Sequence, residues 1–379
     1  MLRYKRMLVS ALMIMVAFKL SEAAADAASS VTSPTARANT STLVQAVSSR
    51  AGASALLKGP LFLSEAQYDA DFDANVIPLM AKAKTGFFEG VDNVQIHYSI
   101  VENPAAKASL VIVPGFTENT LKYRELIYTF YQAGYSVYTF DPRGQGLSAR
   151  MTDDKEVVWV NQWSDYVTDL KTFVHTLVPK GDKEIFLFSH STGAAVVADA
   201  LTSEPTLAAA AVMGSPLLTL NTGRYPLFLA KAVAAAGYFM GKGKDYAPGE
   251  GPVADDRWGI ATASTSSVPR FTRYKRDALR LGQAQGGASF NWVRVVLEMN
   301  ERLYDAKLVA GVTLPLLMAA AGRDTYVLST GITSYCKAAK NCVFSQYPTS
   351  RHEIYNEVDE IRRPWLTEVI AFYDRHLKK

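Results

Sequence analysis

Residues 184–197 read Glu-Ile-Phe-Leu-Phe-Ser-His-Ser-Thr-Gly-Ala-Ala-Val-Val, an apolar run, a cluster of small residues and the opening of a helical pattern. A chain that passes from a buried strand into a helix through so short a turn crosses itself closely. The positions two before and two after the turn residue must therefore be small. Ser189 and Gly193 meet that condition around Ser191, whereas Ser189 fails it as a centre because Leu187 would be its flanking residue. The segment predicts a strand, a turn that projects Ser191, and a helix, which is the arrangement that presents a nucleophilic serine at the edge of a parallel sheet. His190 adjoins it, but neighbouring residues of a sharp turn point in different directions, so His190 is expected to pack behind the serine.

A nucleophilic serine needs a base and an acid that orients the base, in the chain order serine, acid, histidine for this arrangement. Residues 313–321 form a short apolar run bounded by Gly322-Arg323-Asp324, which places Asp324 at the end of a buried strand. Residues 342–348 read as a last strand, and the loop after it carries His352 before a C-terminal helix. His352 is the candidate base and Asp324 its partner. His97 alternates within a strand, His175 lies on a helix and His376 falls at the end of the final helix, so all three read as structural. The oxyanion of acyl transfer requires two backbone N–H donors. Thr192, after the nucleophile, supplies one. Phe116, in the glycine turn after the strand at 110–113, is the candidate for the other.

Strand-like runs at 94–100, 110–113, 136–140, 185–188, 208–213, 314–320 and 343–347 alternate with helical segments, predicting a mostly parallel sheet with helices on both faces. Nearly a hundred residues separate 216 from 314, far more than one crossover helix needs, so a helical cap is expected at about 217–305. One cap helix should begin at Pro226 and another run over 291–303. Arg270, Arg273, Lys275, Arg276 and Arg280 interleave with Phe271 and Tyr274. Arg273 and Arg276 are the substrate-binding candidates, for a phosphate headgroup or an anionic membrane surface, against the alternative of a solvated helix face.

The stretches at 113–126, 134–148, 184–197 and 351–357, with the cap segment 274–294, together resemble bacterial lysophospholipases of the monoacylglycerol-lipase-like branch of α/β-hydrolases. The likeness spans roughly residues 60–379. It implies an α/β-hydrolase fold with a helical cap. The implied activity is cleavage of a carboxylic ester, lysophospholipid or monoacylglycerol, without a metal or organic cofactor. It also implies that Arg143, in Asp-Pro-Arg-Gly-Gln-Gly, shapes the floor of the site. This chain departs from the pattern at Ser189 and at Pro114, where eukaryotic members carry histidine; no triad residue is lost. A small-substrate peptidase or a short-chain esterase would use the same triad, and a non-catalytic binding protein is the alternative of another class.

Arg3, Lys5 and Arg6 precede a mostly apolar stretch over 7–18, and Ala23-Ala-Ala25 offers a small-residue cleavage site, so residues 1–25 read as a signal peptide. Twelve such residues are too few to cross a bilayer core, which takes about 20. The expected destination is the periplasm or the exterior. Removing the leader leaves 36 basic against 35 acidic residues, and that balance gives no sign of a nucleic-acid partner. Residues 26–58 are rich in Ala, Ser and Thr and read as an arm before the hydrolase domain at 59–379. Cys336 and Cys342 are the only cysteines. In an exported chain they are expected to pair, joining a helix end to the last strand, with two free buried thiols as the alternative.

Overall fold

The computed structural model describes residues 59–253 and 258–378. The leader and the arm expected at 1–25 and 26–58 lie outside the described residues. Eight strands form one sheet: β1 Lys84–Glu89, β2 Gln95–Val101, β3 Ala108–Val113, β4 Tyr135–Phe140, β5 Ile185–His190, β6 Ala210–Gly214, β7 Leu316–Ala321 and β8 Cys342–Tyr347. Their spatial order is β1-β2-β4-β3-β5-β6-β7-β8. β1 and β2 pair antiparallel, as do β2 and β4, and the remaining ladders are parallel. Sequence reading missed β1 alone. It is a polar edge strand interrupted by Gly86 with one buried residue, Phe88, so it has no apolar run to find.

Helices α1 Thr120–Gln132, α2 Trp163–Leu177, α3 Ser191–Ser203, α4 Leu227–Gly237, α5 Val268–Arg280, α6 Phe290–Leu303, α7 Ser329–Ala338 and α8 Asp359–Asp374 complete the frame. Successive strand residues feed opposite cores because the strand period is two. Val111, Val113, Leu187 and Met213 pack with α2, α3 and α6 on one face. Leu110, Ile112, Phe186, Phe188 and Val212 pack with α1 and α8 on the other. Strands buried on both faces read as continuous apolar runs, which is why the central five were legible.

The parallel strands β3, β5, β7 and β8 all end at the same sheet edge, so the loops carrying Phe116, Ser191, Asp324 and His352 converge there. The insertion between β6 and β7 holds α4, α5 and α6. Cys336, near the end of α7, and Cys342, the first residue of β8, are disulfide-bonded with a Cα–Cα distance of 5.2 Å. Closing so short a loop contributes on the order of 2 kcal/mol in the chain-entropy model.

Candidate active site

The turn after β5 is as tight as its small residues require. Ser191 opens α3 with φ at 51°, a left-handed conformation that side chains seldom adopt, so its hydroxyl is held away from the helix rather than along it. A Cβ on Gly193 would stand 2.3 Å from the Val113 and Pro114 carbonyl oxygens, so only glycine fits. Ser189 is fully buried and its hydroxyl donates to the Val212 carbonyl at 3.0 Å, which satisfies a polar group in place of the usual glycine.

His352 Nε2 lies 2.9 Å from Ser191 Oγ, and His352 Nδ1 lies 2.6 Å from Asp324 Oδ2. The other Asp324 oxygen accepts the Tyr326 and Val327 N–H groups at 2.8 and 3.0 Å, which fixes the carboxylate. Burial pushes that carboxyl up, but the bond and charge of His352 and the two N–H donors hold it below its ordinary value. The structure thus joins the three residues in one hydrogen-bonded chain. Such a chain can move a proton from Ser191 to His352 while Asp324 keeps the imidazole in the needed tautomer.

Phe116 and Thr192 line the same cleft as Ser191 and His352. The Phe116 loop is braced by residues that sequence reading missed. Gln145 Nε2 donates to the Gly115 and Glu118 carbonyls at 3.0 and 2.9 Å, and its Oε1 accepts Thr117 N–H at 2.9 Å. Glu118 Oε2 accepts Gly115 N–H at 2.7 Å. Arg143 is buried and grips Asp169 through two hydrogen bonds of 2.6 and 2.7 Å, a structural ion pair beneath the site. His190 does bury behind the serine, with its nitrogens turned to Glu118 and to the His352 carbonyl. Away from the site, His97 faces Asp141 and His175 faces Glu204.

The cleft has a volume of about 730 Å³. Leu217, Leu220, Trp292 and Val293 form an apolar wall, and Trp258, Phe271 and Tyr274 an aromatic one. Lys122 and Glu353 line it as well and bridge each other at 2.5 Å.

Arg273 and Arg276 do not line this cleft, which corrects their reading as substrate-binding residues. Helical spacing sorts α5 into two faces: Phe271 and Tyr274 turn to the cleft, while Arg273 and Arg276 turn to acids on the helical turns at 68–80 and Arg270 pairs with Glu125 and Asp359. Arg273 is buried, 2.9 Å from Asp69 and 2.5 Å from Asp73, with its guanidinium 4.0 Å over the Phe72 ring. Arg276 is half-exposed and 3.5 Å from Asp69. Arg273→Glu is therefore expected to cost about 2 kcal/mol of stability, the low side for a broken ion pair because both aspartates are well exposed. A melting curve checks this. An unchanged Tm with selective loss on phospholipid would restore the headgroup reading.

The family model for serine aminopeptidase, S33, matches residues 104–359, well over half of the chain. The chain belongs to this family. Lysophospholipase L2 of Escherichia coli strain K12 is 28% identical over 310 residues, covering 76% of this chain and 87% of the relative. Monoacylglycerol lipase of Mycolicibacterium smegmatis is 24% identical over 300 residues, covering 76% and 96%. Among solved structures, a soluble variant of monoglyceride lipase from Saccharomyces cerevisiae in complex with a substrate analogue superposes with a TM-score of 0.63. At 17% identity over 78% of this chain and 96% of that one, it shows a shared fold. The α/β-hydrolase architecture expected from the sequence is thus the one observed.

Proposed function

We propose that this protein is a serine carboxylic-ester hydrolase acting on single-chain lipid esters, lysophospholipid or monoacylglycerol. The observation that carries the reading is the Ser191–His352–Asp324 hydrogen-bonded chain opening onto a large cleft walled by apolar and aromatic side chains. Ser191 Oγ attacks the acyl carbonyl as its proton passes to His352 Nε2. The oxyanion forms beside the Phe116 and Thr192 N–H groups. His352 then protonates the leaving alcohol, and a water activated by the same imidazole releases the fatty acid from Ser191. The names of the two relatives support the lipid-ester class.

The family description names an aminopeptidase, which would need a free carboxylate to capture an α-amino group. Three carboxylates line the cleft, and Lys122 occupies two of them, 3.0 Å from Glu118 and 2.5 Å from Glu353. The third, Glu250, accepts the Ala288 N–H at 3.2 Å, and burial pushes its carboxyl up, away from the charged form that would hold an α-amino group. That arrangement favours an ester. The deciding experiment is turnover of monoacylglycerols, lysophospholipids, short p-nitrophenyl esters and aminoacyl anilides by the same preparation. Anilide turnover exceeding that of every ester would overturn the proposal.

With the arginines of α5 paired internally, contact with a lipid surface is better supported at α4. Leu227 and Phe228 on α4, and Phe239 and Met240 in the turn that follows it, stand exposed, Phe228 by 73% and Phe239 by 83%, between Arg224 and Lys242. Apolar side chains flanked by cations suit an anionic lipid interface. Phe228→Ser with Phe239→Ser should lower turnover of substrate presented in anionic vesicles about tenfold while leaving a soluble short ester unchanged. Equal rates on vesicles would remove α4 from that role. Export to the periplasm or exterior belongs to the same reading, supported by the basic and apolar leader and by the Cys336–Cys342 bond.

A further inference from the structure

His190 is a buried titratable side chain that the proposed chemistry does not use. Its Nδ1 lies 3.1 Å from Glu118 Oε2 and its Nε2 lies 3.2 Å from the His352 carbonyl oxygen. A neutral imidazole has one donor and one acceptor, so it can satisfy only one of these contacts. The carbonyl is an acceptor in any case. Glu118 is an acceptor too, because four donors already converge on it. Gly115 N–H and the Tyr123 hydroxyl reach Oε2 at 2.7 and 2.5 Å, while the Tyr355 hydroxyl and Lys122 reach Oε1 at 2.9 and 3.0 Å. A protonated carboxyl could not accept all of them.

We propose that His190 is a doubly protonated positioning residue, anchored on Glu118, that holds the main chain of His352 and thereby keeps its imidazole on Ser191. The proposal rests on the assignment of His352 as the base. The held carbonyl belongs to the same residue whose Nε2 meets Ser191 Oγ, and Ser215 Oγ donates to that carbonyl as well, at 2.8 Å. Ser215 takes a φ of 44°, a strained conformation that aims its hydroxyl there. Glu118 joins this clamp to the oxyanion loop, since one of its oxygens accepts both Gly115 N–H and His190. A shift of either element would pass to the other through one carboxylate.

Charge at the site agrees. Burial disfavours the imidazolium and Lys122 opposes it, yet the charge and hydrogen bond of Glu118, with the charge of Glu353, raise His190 above the ordinary histidine value. The Tyr355 and His352 rings pack at 5.1 and 4.6 Å from it. The clamp therefore holds to a higher pH than an ordinary histidine would allow and is lost as pH rises through the raised value.

The test uses the full chain labelled with 15N-histidine, with His190 assigned by the signal that His190→Gln removes. At pH 7 both ring nitrogens are expected to carry protons, and a ring with one bare nitrogen overturns the charge assignment. A glutamine amide carries its donors on one nitrogen and sets a carbonyl oxygen at the other position, so it cannot donate from both of the places the ring nitrogens occupy. In His190→Gln, kcat on a soluble short ester should fall up to about 10²-fold with KM unchanged. Its labelling by a fluorophosphonate should slow in step. That arm reads the geometry around Ser191 directly, so failure of the lipid-ester reading leaves it intact. Ser215→Ala removes the second donor to the same carbonyl and supplies the readout should the glutamine variant not fold. Wild-type kcat and labelling in the folded variant overturn the positioning role.

Discussion

Replacing Ser191 with alanine is expected to lower ester turnover by roughly 10³-fold or more while the protein keeps its melting temperature. The substitution deletes the one atom that can form the acyl intermediate. It leaves the turn intact, because the strained φ at this position is imposed by the close approach of Gly193 to the Val113 and Pro114 carbonyls. His352→Ala should cause a loss of the same order, since it removes the acceptor 2.9 Å from Ser191 Oγ. Neither effect should add to the other, because the residues act as a unit and the remaining rate comes from oxyanion stabilisation and binding. Fluorophosphonate labelling separates the cases. Ser191→Ala must not label at all, whereas His352→Ala retains its nucleophile and labels slowly. Near-normal turnover by a folded Ser191→Ala protein would end the serine-hydrolase reading.

What could be read from the chain was what steric and periodic rules write locally. Gly193 and Ser189 are small because the turn allows nothing larger, and that demand falls within a few residues of Ser191. Asp324 and His352 were found because a strand ends shortly before each, the buried β7 before Asp324 and the edge strand β8 before His352, and strand ends are where such sites form. The bracing of the site was not legible for the opposite reason. Glu118 meets His190 across 72 positions and Tyr355 across 237, and neither a loop glutamate nor a loop glutamine has a period to betray its partner. The α5 arginines show how a local pattern misleads. Their clustering was visible, but only the positions of Asp69 and Asp73 reveal which way Arg273 and Arg276 point. A helix also signals its apolar content without saying which side meets protein. α4 fully buries only Ala234 and Gly237, and leaves Leu227 and Phe228 exposed.

Asp324→Asn should lower kcat by about 10⁴-fold with little loss of fold, and it separates a catalytic aspartate from an ordinary turn aspartate. One Asp324 oxygen accepts the Tyr326 and Val327 N–H groups, a turn-stabilising role that an asparagine oxygen can keep. The other faces His352 Nδ1 at 2.6 Å, and there the substitution places an NH₂ donor where an acceptor stood. His352 must then present a bare Nδ1 to the amide and carry its proton on Nε2, the nitrogen that should receive the proton of Ser191. The wrong tautomer blocks base catalysis while preserving the contact, so kcat falls and KM for a short ester stays close to its original value. The pH dependence of stability should change as well. The folded value of Asp324 is depressed, so its contribution to stability is full above the unfolded carboxylate value of about 3.9 and is lost as pH falls through the lower folded value. The asparagine variant has no such titration, and its melting temperature relative to the parent should rise on acidification. If instead Asp324→Asn kept most of the turnover, or lost it only through unfolding, the acid that orients His352 would have to be sought elsewhere.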